Sequence, residues 1–330
     1  MRQIRQLIIL TATAALVPAI AQAQAFEVIG TRAAGMGGAF VAVTDDASAV
    51  YWNPGALASG AYFTLLLDRN SADFSQDEDP QLGAGNQSGT LVSMAALPLG
   101  LSYYRLRGSK VRPAEGDNVR LETLITHHTG VTFVQSLTGH VSVGATFKLV
   151  RGIAAADTVS STGRNLDDLL DQTEDLVGRA TNKFDADVGV SAVFRTFKAG
   201  LTLRNAVAPG FEVASGSEKL RLERQGRAGI ALIAATGWLL AVDADLNRTP
   251  GHLGDVRNIA VGAEAHLVRR AFVRAGVRAN TVSDQPAGRT PVVSVGGSYA
   301  VRGPLLIDGQ VTGGSEGGGT GWGLAARVVF

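Results

Sequence analysis

In the second half of the chain, apolar and other residues alternate with period two. From Trp238, one face carries Trp238, Leu240, Val242, Ala244 and Leu246, and the other Leu239, Ala241, Asp243, Asp245 and Asn247. Ile259, Val261, Ala263, Ala265 and Leu267 alternate with Gly262, Glu264 and His266, and Ala271, Val273, Ala275, Val277 and Ala279 with Arg274, Gly276, Arg278 and Asn280. Earlier, Val141, Val143, Ala145, Phe147 and Leu149 oppose Ser142, Gly144, Thr146 and Lys148, while Val188, Val190, Ala192 and Phe194 oppose Asp185, Asp187, Gly189 and Ser191. Period two is the side-chain period of a β-strand. Counting such runs predicts fourteen strands, near 61–68, 88–97, 99–106, 120–135, 140–151, 184–194, 197–205, 224–234, 238–247, 258–267, 271–281, 291–300, 304–312 and 321–330. Their connections alternate between long (69–87, 107–119, 152–183, 206–223, 248–257, 282–290, 313–320) and tight (around Pro98, Thr138-Gly139, Thr196, Thr236-Gly237, Arg269-Arg270 and Arg302-Gly303). Sorting of this kind predicts an all-β fold, an antiparallel transmembrane β-barrel whose apolar set faces lipid and whose other set faces the lumen. A soluble sandwich has no reason to sort its loops so.

Composition agrees. Of 330 residues, 45% are hydrophobic and 18% charged, with 41 glycines against 10 prolines, yet past the N-terminus no apolar run is long enough for a spanning helix. Residues 1–25 read as a cleaved secretory signal peptide: Arg2 and Arg5, an apolar run from Leu7 to Ile20, then Ala21-Gln22-Ala23-Gln24-Ala25 with cleavage after Ala23 or Ala25. A single membrane anchor is the weaker reading, because the run falls short of a span. Losing Arg2 and Arg5 takes the 30 basic residues to 28, against 29 acidic ones, so no basic footprint for nucleic acid exists. The chain has no cysteine, which excludes disulfides and thiolate chemistry. Its five histidines show no metal-ligand spacing, and adjacent His127 and His128 point to opposite faces of a strand, so no metal or cofactor is expected.

One stretch between leader and first strand lacks alternation. Gly30 to Ala58 contains Arg32, Gly35-Met36-Gly37-Gly38, Asp45-Asp46 and Tyr51-Trp52-Asn53-Pro54-Gly55, a composition of turns and close backbone approach. The pattern R-x-x-G-M-G-G-A-F-x-A-x-x-D-D-A-x-A-x-Y-W-N-P resembles the N-terminal signature of the FadL-type fatty acid transporters and PorV/PorQ-like secretion-associated barrels of the outer membrane. This chain runs Asn53-Pro54-Gly55-Ala56 where members usually continue Asn-Pro-Ala-Gly. The resemblance implies a fourteen-stranded barrel (61–330) with a hatch (26–60) folded inside it, in the outer membrane of a Gram-negative-type bacterium. It also implies a ligand path at the hatch, by Arg32, Gly35, Gly37, Gly38, Asp45, Asp46, Asn53, Pro54 and Gly55. Gly200-Leu201-Thr202-Leu203-Arg204-Asn205 followed by Pro209 resembles a PorV-like segment and tilts the branch that way. Trp322, Leu324, Ala326, Val328 and Phe330 share a face of the last strand, and a final aromatic there resembles the signal read by the barrel assembly machinery. Trp238 and Trp322, at strand starts, suit an interfacial girdle.

The lumen face gathers Asp185, Asp187, Arg204, Arg227, Asp243, Asp245, Glu264, His266, Arg274, Arg278 and Arg327. Paired carboxylates at 243 and 245 could serve acid/base or cation chemistry, but a plugged lumen needs such charges to satisfy one another and the hatch backbone, and the structural role is favoured. Arg32 is the expected contact of the hatch with those carboxylates. In the longest loop, Leu166, Leu169, Leu170, Thr173, Leu176 and Val177 recur at helical spacing, reading either as a capture groove at the barrel mouth or as a helix packed over the loops. Glycine-rich runs at 215–217 and 313–319 lack the context of a phosphate loop. Two functions follow: a hatch-plugged passage for small hydrophobic molecules, or a PorV-like barrel that docks secreted proteins or secretion machinery. An enzyme is a distant third reading, for lack of a nucleophile, base and orienting group together.

Overall fold

A computed structural model describes residues 28–75, 83–214, 218–234, 237–251, 254–282, 290–314 and 319–330. The leader expected at 1–25 lies outside the described residues, as do most of the glycine-rich loop positions. In chain order the strands are β1 (Phe63–Ser75), β2 (Ala84–Ala96), β3 (Leu99–Pro113), β4 (Asn118–Ser136), β5 (Val141–Ser160), β6 (Arg179–Val193), β7 (Phe197–Arg204), β8 (Gly210–Glu212) and β9 (Lys219–Arg221). They continue as β10 (Gln225–Ile233), β11 (Trp238–Asp245), β12 (Thr249–Gly251), β13 (Gly254–Val256), β14 (Asn258–Val268), β15 (Ala271–Asn280), β16 (Val292–Arg302), β17 (Leu305–Gly314) and β18 (Thr320–Val329). β8–β9 and β12–β13 are separate hairpins, and the other fourteen strands form one closed barrel. Closure is made where β18 returns to β1, in antiparallel register from Thr64↔Val329 to Asp73↔Thr320. A closed sheet leaves no unpaired strand edge, which is what lets strands cross hydrocarbon.

The alternation sorts as its chemistry requires. Leu240, Val242, Phe147, Leu149, Leu201 and Leu324 point outward and are exposed, whereas Asp185, Asp187, Asp243 and Arg227 are buried inside. Trp238 and Trp322 are half exposed at opposite rims, one beside a tight turn and the other beside a long connection.

Two expectations are corrected. The strands do not end where the alternation fades: β3 runs on to Pro113, β5 to Ser160, and β6 begins at Arg179, so the long connection at 107–119 shrinks to a turn at 114–117. Beyond the lipid band a strand has no greasy face to declare, and its pattern goes silent although its ladder continues. The connection at 152–183 does hold a helix, α3, but not at the barrel mouth. Leu166 and Leu169 pack with Ala84, Val111, Val119 and Leu121. By strand parity these lie on the outward face, with Tyr103 and His127. The helix (Leu166–Asp175) therefore clads the outside wall of β2–β4, the packing reading rather than the groove.

Candidate functional site

Residues 28–60 fill the middle of the barrel. α1 (Thr31–Gly35) and α2 (Ala49–Trp52) are short, and a 3₁₀ turn (Pro54–Ser59) leads to β1. They are held by burial rather than by helix propensity, since helices of four or five residues are not stable alone. Phe40, Val41, Val43, Tyr51 and Trp52 are fully buried, and the Trp52 indole donates to Ile29 O at 2.7 Å. This segment and the wall around it are the candidate site.

On one side, the segment joins a closed ring of alternating charge. Arg32 binds both oxygens of Glu264 at 3.0 Å, Glu264 accepts from Arg274 Nε at 2.5 Å, and Arg274 Nη1 reaches Asp308 at 3.4 Å. Asp308 accepts from Arg327 Nε at 2.7 Å, Arg327 Nη1 reaches Asp46 at 2.9 Å, and Asp46 returns to Arg32 Nη1 at 3.4 Å. Asp45 makes a further contact with Arg32 at 2.5 Å, and Ser298 bonds both Arg274 and Asp308. Three arginines and three carboxylates thus satisfy one another in a space no single pair would tolerate, linking the N-terminal segment to β14, β15, β17 and β18. Asp68 on β1 accepts the Thr31 N–H at 2.6 Å, and a water-sized cavity lies between Asp68, Asp46 and Arg327.

On the other side the contacts are to backbone. Asp243 Oδ2 accepts the N–H groups of Phe40 and Val41, each at 2.8 Å. Arg227 pairs with Asp245 at 2.7 Å and donates to Gly38 O at 3.3 Å. Asn53 caps the Gly55 N–H at 3.1 Å and donates to both Val41 O and Val190 O at 3.0 Å, so one amide ties three chain segments together. Here the wall presents glycines. A Cβ at Gly55 would lie 2.7 Å from Gly189 O, one at Gly200 2.5 Å from Val41 O and one at Gly262 2.5 Å from Met36 O, while Gly144 and Gly276 sit directly against Pro54 and Met36. Gly37, at φ 66°, fits against Val277. Side chains on these inward positions would push the segment out.

Above it the lumen has two further layers. Lys148 bonds Asp187 at 2.7 Å and Asp185 at 2.9 Å, fully buried, and Arg204 stacks 3.6 Å over the Tyr51 ring. Tyr104 meets Tyr51 edge-on and stacks on His128 at 4.2 Å. Nearer the long loops, Leu124, Val150 and Ala154 of the inner face pack against Phe211, Val213, Leu220 and Leu222, because the β8–β9 hairpin folds inward. Arg112 extends from β3 to Gly251 O of the β12–β13 hairpin at 2.8 Å.

The N-terminal residues singled out in the sequence therefore lie together: Arg32, Asp45 and Asp46 in the ionic ring, Gly35, Gly37 and Gly38 against β15–β16 and Arg227, and Asn53, Pro54 and Gly55 against β5 and β6. Arg278 lies half-buried within electrostatic range of Arg227 and Asp245 and forms no ion pair among the described residues. His266, expected in the lumen, is instead exposed beside Phe272, where a register shift precedes the β14–β15 turn. Lys148 stands on a polar strand face with only that parity to mark it. Asp308, Ser298 and Asp68 had only strand parity to mark them, and the inward glycines had none of the charge that draws notice. Among the described residues, no three histidine or acidic side chains converge to hold a metal.

Comparison with known proteins follows this geometry. The chain resembles, in solved structures, a Pseudomonas aeruginosa FadL homologue (12% identity, TM-score 0.63, covering 92% of this chain and 99% of that one). It also resembles the CymD monoaromatic hydrocarbon channel (13%, 0.59, 92% and 97%) and the Pseudomonas putida toluene transporter TodX (12%, 0.58, 93% and 98%). A family model described as F plasmid transfer operon TraF protein matches residues 118–245. No curated protein matches. At these identities the likeness is one of fold: a FadL-like closed barrel of fourteen strands.

Proposed function

We propose that this chain, a FadL-like outer-membrane barrel by fold, is a passage for small hydrophobic molecules plugged by residues 26–60 as its hatch. One observation carries the reading. The inner face at the long-loop end carries an apolar patch, Leu124, Val150 and Ala154 buried under Phe211, Leu220 and Leu222 of the β8–β9 hairpin, beside the Arg120–Glu122 and Arg120–Glu218 ion pairs. A barrel built for water keeps its inner face polar, whereas an apolar molecule displacing this hairpin exchanges one hydrophobic contact for another at little cost. Below lie the Tyr51 and Tyr104 rings and then the hatch. The printed names of the structural neighbours, a toluene transporter and a monoaromatic hydrocarbon channel, support the same substrate class.

Labelled long-chain fatty acid and labelled toluene are followed into cells lacking their own outer-membrane importers, with this protein or its Asn53→Ala, Pro54→Ala variant at matched surface abundance. Saturable uptake of either, weakened in the variant, is expected. No uptake from a folded, heat-modifiable barrel overturns the passage.

A second reading, a non-transporting barrel that docks secreted proteins or secretion machinery, draws on a different observation. The hatch is clamped on both sides, by the ionic ring and by the glycine contacts, as a static plug would be. Under that reading, deletion of the gene leaves fatty acid and toluene uptake intact and removes particular proteins from the cell surface.

A further inference from the structure

The outward face of β1–β5 carries an unusual register. Arg69, Thr90, Arg105, His127 and Arg151 are directly paired across five successive strands. All five point outward, with Arg69 and Arg151 exposed and the other three half-buried. One step toward the tight turns, the next outward row is Leu67, Val92, Tyr103, Thr129 and Leu149 in the same register. The row after that is Leu65, Met94, Leu101, Val131 and Phe147. A cationic row therefore sits at the upper boundary of the lipid-facing band, on the side of the long loops, which in outer-membrane barrels is the cell exterior.

Three facts separate this row from ordinary rim charge. Among the described residues, Arg69, Arg105 and Arg151 have no ion-pair partner, whereas Arg107, one step higher, is taken by Glu174 of α3 at 2.8 Å. Neighbouring strands lie about 4.8 Å apart, so Arg105 and Arg151, on either side of His127, fall within about 10 Å and concentrate like charge at that level. Tyr103 hydroxyl meets His127 Nδ1 at 2.8 Å, fixing the imidazole between the two arginines. Like charges gathered without counter-charge at the headgroup level of a bilayer call for an anion there. The anion of that stratum is a lipid phosphate, and guanidinium forks match phosphate oxygens.

We propose that this row binds the phosphorylated headgroup of an outer-leaflet lipid, Arg105 and Arg151 holding its phosphates while its acyl chains lie along Leu67, Val92, Tyr103, Leu149 and the row beneath. The inference is independent of whether the barrel conducts anything, because every residue in it points away from the lumen.

The test is native mass spectrometry of the detergent-solubilised full chain titrated with diphosphorylated lipid A, with enzymatically dephosphorylated lipid A as the paired probe. Wild-type protein is expected to bind the diphosphorylated lipid, and Arg105→Gln with Arg151→Gln to bind it about thirtyfold more weakly, the loss of two interfacial cations. Dephosphorylated lipid should bind wild-type protein as weakly as the double variant binds the intact lipid. Arg302→Gln, at the opposite rim, should leave binding unchanged. Equal binding by wild type and double variant, or binding indifferent to the phosphates, overturns the proposal. The exchanged side chains are on the surface, and retention of the heat-dependent gel shift establishes that each variant is folded.

Discussion

Arg32 shows how much one side chain in a five-residue helix can organise. Its guanidinium meets Glu264, Asp45 and Asp46, and with Asp46 it brings the N-terminal segment into the ring on β14–β18. Arg32→Glu would set an acid against three others, and breaking a buried pair costs about 3–5 kcal/mol. The expected outcome is an N-terminal segment open to protease in a barrel that still shows its heat-dependent gel shift; resistance equal to wild type would contradict it. Gly189 offers the uncharged counterpart, since its missing Cβ is where Asn53 and Pro54 sit. Gly189→Val is expected to lower stability by about 1–3 kcal/mol through overpacking, read as a lower midpoint of thermal unfolding. Arg32 was legible because a cation in a stretch destined for a charged lumen has few places to go. Gly189 was not: glycine on a polar strand face says nothing about what backbone will approach it.

Among elements, α3 and the β8–β9 hairpin mark the range of what a pattern discloses. The spacing of Leu166, Leu169 and Thr173 announced an amphipathic helix, but which surface receives the apolar side depends on how a loop folds back over distant strands. Leu169 is fully buried against the outside of β2–β4. Leu169→Asp should strip that cladding, at a cost of about 2–5 kcal/mol as for other large core deletions. New cleavage in the hairpins at the long-loop end, without loss of the barrel, is the expected readout. The hairpin gave no signal at all, its strands being three residues each. Replacing 210–221 by a short glycine-serine link removes Phe211 and Leu220, each worth about 1.5–3 kcal/mol when fully buried. If the mouth is the capture site, affinity for a fluorescent fatty acid should fall at least tenfold; unchanged affinity would place capture elsewhere.

For the whole molecule, closure and plugging are separable. The ladder from β1 round to β18 is complete without residues 28–60, and Glu264, Arg274, Asp308 and Arg327 still pair with one another when Arg32 and Asp46 are gone. A chain lacking residues 28–60 is therefore expected to insert and to show the heat-dependent shift at a lower midpoint. It should also raise ion conductance in planar bilayers, because the deleted segment occupies the middle of the lumen. Failure to insert would mean that this segment templates the barrel.

The number of barrel strands, their order along the chain and the lipid-facing set were determined by the sequence alone, because each rests on a local period of two imposed by contact with hydrocarbon. Where that contact ends the period ends, and the extensions of β3, β5 and β6 had to be shown by the structure. Tertiary structure alone decided which charges close into a ring, which glycines receive the N-terminal segment and which wall α3 covers. Those depend on pairs such as Arg32 with Glu264 or Pro54 with Gly144, far apart in the chain and joined only when the barrel closes around its own N-terminus.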